Sequence, residues 1–91
     1  MLPTPPSDIR VLVVDDEAVI RTTLLRMLQK HGYRCSAADN VDAALAVLAH
    51  EPVDLVLSDI QMPGKSGVDL VRALADRIPD TAVVMVTGVD D

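Results

Sequence analysis

Val11-Leu12-Val13-Val14-Asp15-Asp16-Glu17 is the stretch that decides the fold. Four consecutive aliphatic residues without polar alternation suit a strand covered on both faces, as in a parallel sheet flanked by helices. The two carboxylates that follow place charge where such a strand meets solvent. A second run of the same kind, Val53-Asp54-Leu55-Val56-Leu57-Ser58, closes on Asp59. Three carboxylates gathered at strand ends repel one another unless a cation neutralises them, and a hard ion such as Mg²⁺ prefers oxygen ligands of this kind.

The rest of the composition narrows the function classes. With 91 residues the chain is one domain at most, long enough for a real core but near the low end for a self-sufficient one. Hydrophobic residues make up 49% of it, yet Tyr33 is the sole aromatic, so the core is built from Val, Leu, Ile, Ala and Met. The same scarcity removes any platform for stacking bases. A net charge of −6 repels phosphate backbones, and direct nucleic-acid binding is not expected. No apolar run approaches the roughly 20 residues needed to cross a bilayer, and no signal peptide pattern opens the chain. A cytoplasmic location is therefore expected. Cys35, alone, forms no internal disulfide and reads as a small strand residue.

Around the two acid-ended runs the pattern alternates between strand and helix. Met1 to Asp8, with Pro3, Pro5 and Pro6, reads as a flexible leader, and structure is expected from Ile9. From Glu17 the period is helical, with Ile20, Leu24, Met27 and Leu28 on the expected core stripe and Gly32 as the C-terminal stop. Tyr33 to Ala38 reads as a short second strand. Asp39-Asn40 is a capping pair for an Ala-rich helix over about Val41 to Ala49, which Pro52 follows. Val53 to Ser58 is the third strand, Ile60 to Lys65 a loop punctuated by Pro63 and Gly64, and Ser66 to Arg77 a third helix. Thr81 to Thr87 is the fourth strand. The order βαβαβαβ with short connections predicts right-handed crossovers, a parallel sheet and helices on both of its faces.

Taken together, Val-Leu-Val-Val-Asp15-Asp16-Glu17, Leu-Val-Leu-Ser-Asp59-Ile-Gln-Met62-Pro63-Gly64-Lys-Ser-Gly67 and Val-Val-Met-Val-Thr87-Gly88 resemble a response regulator receiver domain of two-component signalling, over about Ile9 to Thr87. Each piece alone is weak; three at the ends of three strands in the right order are specific. The resemblance implies a flavodoxin-like, doubly wound parallel sheet of order 2-1-3-4-5, with ligands outside the carboxyl ends of the strands. It implies that Asp59 is the phosphoacceptor, attacking a phosphohistidine on a sensor histidine kinase (or phosphotransfer protein) or a small phosphodonor. It further implies Mg²⁺ held by Asp16 and Asp59 through side chains, by Gln61 through its backbone carbonyl, and by Asp15 mainly through water. Thr87 stands where the family carries a hydroxyl that hydrogen-bonds the phosphoryl group.

Plainer roles are available for the same residues. Asp15 or Asp16 could be the N-cap of the first helix, Pro63, Gly64 and Gly67 could only shape a loop, and Met62 reads as packing. His31 and His50, near helix ends, are assigned no ligand role. Measured against the family pattern, the chain stops before the fourth helix, the fifth strand with its lysine, and the fifth helix. That ending suggests a receiver truncated after the fourth strand, either as a piece of a longer protein with an output domain or as a natural short form. An open edge at the fourth strand would favour self-association. The expected function is a phosphorylatable, Mg²⁺-binding receiver module and not an enzyme beyond its own phosphorylation and autodephosphorylation. The alternative is an interaction or dimerisation module that keeps the fold but no longer switches.

Overall fold

A computed structural model of the chain describes residues 9–59, 69–73 and 82–86. The apolar run at the start forms β1 (Arg10–Val14), and the remaining elements follow as α1 (Ala18–Lys30), β2 (Arg34–Ala38), α2 (Val41–His50), β3 (Leu55–Asp59) and β4 (Ala82–Val86). Residues 69–73 are helical and fall within the expected third helix. The expected leader over 1–8, the loop after Asp59 and the ends of the third helix lie outside the described residues.

The four strands form one parallel sheet of order β2-β1-β3-β4, the first four positions of the order that the resemblance implied. Chain order reverses at β1: the first crossover places β2 on one side of it and the next places β3 on the other. This switch point is where an open α/β sheet leaves a crevice at the carboxyl ends of its strands.

Burial explains why β1 shows no alternation. Val11, Leu12, Val13 and Val14 are all buried, and successive side chains on a strand point to opposite faces. Leu12 and Val14 join Ala38, Val41, Ala44, Leu48, Val53, Val56 and Leu70 in the cluster beneath α2, and Val11 and Val13 serve the opposite face. Both faces of β1 are therefore covered.

Local signals set the helix ends. Asn40, extended, accepts a 2.7 Å hydrogen bond from the Ala43 amide at the start of α2, and its own amide donates to Asp39 at 2.7 Å, so the pair caps as expected. After α1 the chain turns through Gly32 at φ 93°, a conformation that costs a residue with a Cβ and suits glycine. The Gly32 amide reaches the Gln29 carbonyl at 3.0 Å and the Tyr33 amide reaches Leu28 at 3.1 Å, which is a Schellman ending.

Three expectations need correction. Tyr33 is spent on that helix ending, so β2 begins one residue later, at Arg34. Leu55 opens β3 in place of Val53, because Asp54 is used as a clamp: its carboxylate accepts from the Arg10 amide at 2.9 Å and its amide donates to the Arg10 carbonyl at 2.9 Å. At its other end β3 continues through Asp59, which pairs with Val86. The largest departure concerns α1, none of whose residues is fully buried. Met27 is 55% exposed and Ile20 39%, with Leu24 and Leu28 half-buried. Among the described elements α1 lies mainly against β1 and β2, which leaves part of the stripe open.

Cys35 sits in β2 opposite Val11, its thiol donating to the Tyr33 carbonyl at 3.6 Å. Burial pushes the thiol above its ordinary pKa, which lowers the reactive thiolate fraction. Alkylation by iodoacetamide at pH 8 is expected to be severalfold slower in the folded chain than in urea. Equal rates would show that β2 leaves the sulfur open.

Candidate functional site

The crevice at the switch point is acidic. Asp15 and Asp16 follow β1, and Asp59 ends β3, the strand hydrogen-bonded beside it. Neighbouring strands run about 4.8 Å apart, so two residues at adjacent carboxyl ends can serve one ligand. One carboxylate oxygen from each of Asp15, Asp16 and Asp59 lies within 4.8 Å of the other two. The structure thus brings together the three carboxylates expected to meet. Gln61 and Thr87 lie outside the described residues.

The three are held differently. Asp15 is 6% exposed and fixed at several points: its amide donates to the Ala38 carbonyl at 3.1 Å, its Oδ1 accepts from the Glu17 amide at 2.9 Å, and its carbonyl accepts from Arg21 Nη1 at 2.8 Å. Asp16 is exposed and Asp59 half-buried. The plainer alternative, in which Asp15 or Asp16 caps the first helix, does not hold. Glu17 occupies that position with extended backbone and no side-chain cap, and the Asp15 carboxylate takes the amide just before the helix.

The donor set fits a hard divalent cation. An octahedral Mg²⁺ with bonds of about 2.1 Å sets opposite ligands about 4.2 Å apart and adjacent ones about 3.0 Å apart. Oxygens already within 4.8 Å of each other need only small side-chain rotations to meet that geometry, or a bridging water. Asp15 has its Oδ1 engaged with an amide, Asp16 is exposed, and Asp59 presents its carboxylate from the end of β3.

Two contributors escaped the reading of the sequence. Arg21, on α1, reaches back with its guanidinium to the Asp15 carbonyl. Ser58, fully buried, donates its hydroxyl to the Asp59 carbonyl at 3.0 Å and so satisfies a polar group beside the acid. Neither has a periodic signature, because both reach main-chain carbonyls at element ends.

Comparison with known proteins agrees with the fold. Residues 11–91 match the family model of the response regulator receiver domain. The chain is 44% identical over 87 residues to the transcriptional regulatory protein AruR of Pseudomonas aeruginosa, covering 90% of this chain and 35% of that relative. Among solved structures it resembles the response regulator TrrA of Thermotoga maritima in complex with Mg²⁺-BeF, at TM-score 0.82 and 38% identity, over 87% of this chain and 69% of that one. It also resembles the structure of histidine kinase ThkA in complex with TrrA, at TM-score 0.83 and 36% identity, over 91% of this chain and 72% of that one. A parallel sheet with helices and an acidic pocket at its switch point defines a receiver of the flavodoxin-like class. The chain belongs to the response regulator receiver domain family of two-component systems. It spans about a third of the length of AruR. Among the described residues no helix is long and apolar enough to cross a membrane.

Proposed function

We propose that the chain is a phosphoacceptor module that takes a phosphoryl group on Asp59 in a Mg²⁺-dependent reaction and passes the signal to an output domain. One observation carries this reading: three carboxylate oxygens from the ends of two adjacent strands lie within 4.8 Å of one another at the switch point. A carboxylate is a weak nucleophile, so phosphoryl transfer to it depends on positioning and charge neutralisation more than on a strong base. Bound Mg²⁺ supplies that neutralisation and a fixed point for the phosphoryl oxygens.

The protein's part is geometry. An Asp59 oxygen forms the new P–O bond as the P–N bond of a phosphohistidine breaks, and the released imidazole nitrogen takes a proton from solvent. Asp16 and Asp59 would hold the cation through their side chains, Gln61 through its backbone carbonyl and Asp15 mainly through water. Thr87 donates its hydroxyl to the phosphoryl group, turning the new charge into a movement of the chain around it. The donor is a sensor histidine kinase or phosphotransfer protein, a reading supported by the kinase bound to TrrA. The module works in the cytoplasm, binds no nucleic acid itself and turns over no external phosphoester.

Incubation with acetyl phosphate and Mg²⁺, read by intact mass, tests the proposal. The chain is expected to gain one phosphoryl mass, and the gain is lost with EDTA or in Asp59→Asn. A chain that binds Mg²⁺ yet gains no mass would instead be a non-switching interaction module.

A further inference from the structure

We propose that Arg21 is a positioning residue of the acid pocket, holding the turn that carries Asp15 and Asp16 so that their carboxylates stand ready for a divalent cation. The inference rests on the receiver reading of the pocket, but its readout is cation affinity.

Arg21 lies in the first turn of α1, half-buried, and its Nη1 donates to the Asp15 carbonyl at 2.8 Å. That carbonyl belongs to a residue only 6% exposed, one step past the last β1–β2 pair, so the sheet ladder has ended there. A carbonyl past the end of the ladder in a largely buried residue needs a partner, and the guanidinium supplies a charge-assisted one. The Asp15 amide is tied to Ala38 in β2, and the Asp15 Oδ1 is tied to the Glu17 amide at the mouth of α1. With Arg21 added, Asp15 is pinned to β2, to the helix entry and to a helix side chain.

Asp16 benefits most from this. It is exposed and takes its direction from the main chain on either side, which means from Asp15 and Glu17. If the Asp15 carbonyl is released, the peptide joining Asp15 to Asp16 can rotate, and the two carboxylates lose the spacing that fits one ion. A partner one shell out from a metal typically contributes 10-fold to 100-fold in affinity, and Arg21 acts through the main chain, at the low end of that range.

Electrostatics alone predicts the opposite sign. A guanidinium near three carboxylates lowers the negative potential of the pocket, so its removal would tighten Mg²⁺ binding. The direction of change therefore separates positioning from charge.

The test is Mg²⁺ titration by calorimetry on the whole chain and on Arg21→Ala, Arg21→Gln and Arg21→Lys, with thermal melts to confirm folding. In Arg21→Ala the Mg²⁺ dissociation constant is expected to rise about 10-fold. The half-saturating Mg²⁺ for phosphorylation by acetyl phosphate rises with it, and the rate at saturating Mg²⁺ stays within about twofold. Arg21→Lys, which keeps a cationic donor, recovers part of the affinity and binds more tightly than Arg21→Gln. Should Arg21→Ala fail to fold, that ordering of the Lys and Gln variants decides the matter. Unchanged or tighter Mg²⁺ binding in the folded Ala and Gln variants would overturn the proposal. A parent chain that binds Mg²⁺ but gains no phosphoryl mass would defeat the receiver reading while weaker binding in Arg21→Ala still upheld Arg21. A parent chain that binds no Mg²⁺ would remove both.

Discussion

Asp16→Asn is expected to melt a few degrees above the parent chain without Mg²⁺ and to gain nothing when Mg²⁺ is added. Asp16 is exposed, so the change removes little packing, and asparagine keeps the shape of the side chain while deleting its charge. In the parent chain three carboxylate oxygens share a space within 4.8 Å. Two unit charges near that distance repel by about 1 kcal/mol in a water-like environment, and solvent and salt reduce the figure further for an exposed group. Relief of under about 1 kcal/mol corresponds to a few degrees in a domain of this size. The rise should shrink in 0.5 M NaCl, where screening has already weakened the repulsion.

The second half of the expectation is the larger one. A ligand that binds only the folded state at a hundred times its dissociation constant stabilises it by about 2.7 kcal/mol, a shift of about 10 °C or more here. Mg²⁺ should produce that shift in the parent chain. Asp16→Asn keeps the Asp15 carboxylate and Asp59 but loses one charged oxygen donor, and the shift should fall to near zero. Differential scanning calorimetry with and without Mg²⁺ reads both numbers. An undiminished Mg²⁺ shift in Asp16→Asn would place the ion elsewhere on the chain.

How much of this was legible beforehand depended on whether a feature has a local cause. The unbroken apolar run Val11-Leu12-Val13-Val14 predicted a strand buried on both faces, and all four residues are buried. Gly32 and Asn40 announced helix ends because a positive φ and a side-chain cap are demands of single residues. The acid cluster could be anticipated because strand ends collect on one edge of a parallel sheet whatever the details of packing. The core stripe of α1 was misjudged because periodicity says which residues share a helix face, not whether a neighbour covers that face. Ile20 and Met27 do share a stripe, yet the described sheet covers only part of it. Arg21 was invisible for a related reason: its partner is a main-chain carbonyl in the preceding turn, and every residue type offers the same carbonyl.

Leu12→Ala is expected to cost about 3 kcal/mol of stability, and it tests whether the core and the pocket on β1 are separable. Leu12 is fully buried in an inner strand of the sheet, within the cluster it shares with Val14, Val41, Ala44, Val56 and others. Truncation removes the transfer energy of the side chain and leaves a cavity, and buried leucines lose about 2–5 kcal/mol in this way. At about 0.05–0.15 kcal/mol per residue, a 91-residue chain has about 5–14 kcal/mol in all, so the change removes a fifth or more of it. Urea unfolding should show the midpoint falling accordingly, whereas Val19→Ala, at a site 77% exposed, should stay within about 0.5 kcal/mol of the parent. Mg²⁺ then gives the decisive comparison. Stabilisation by a ligand depends on the affinity of the folded state alone, so a pocket unaffected by the cavity adds the same increment to Leu12→Ala as to the parent chain. A smaller increment would mean that the cavity shifts the end of β1, and that packing at Leu12 sets the position of Asp15 and Asp16.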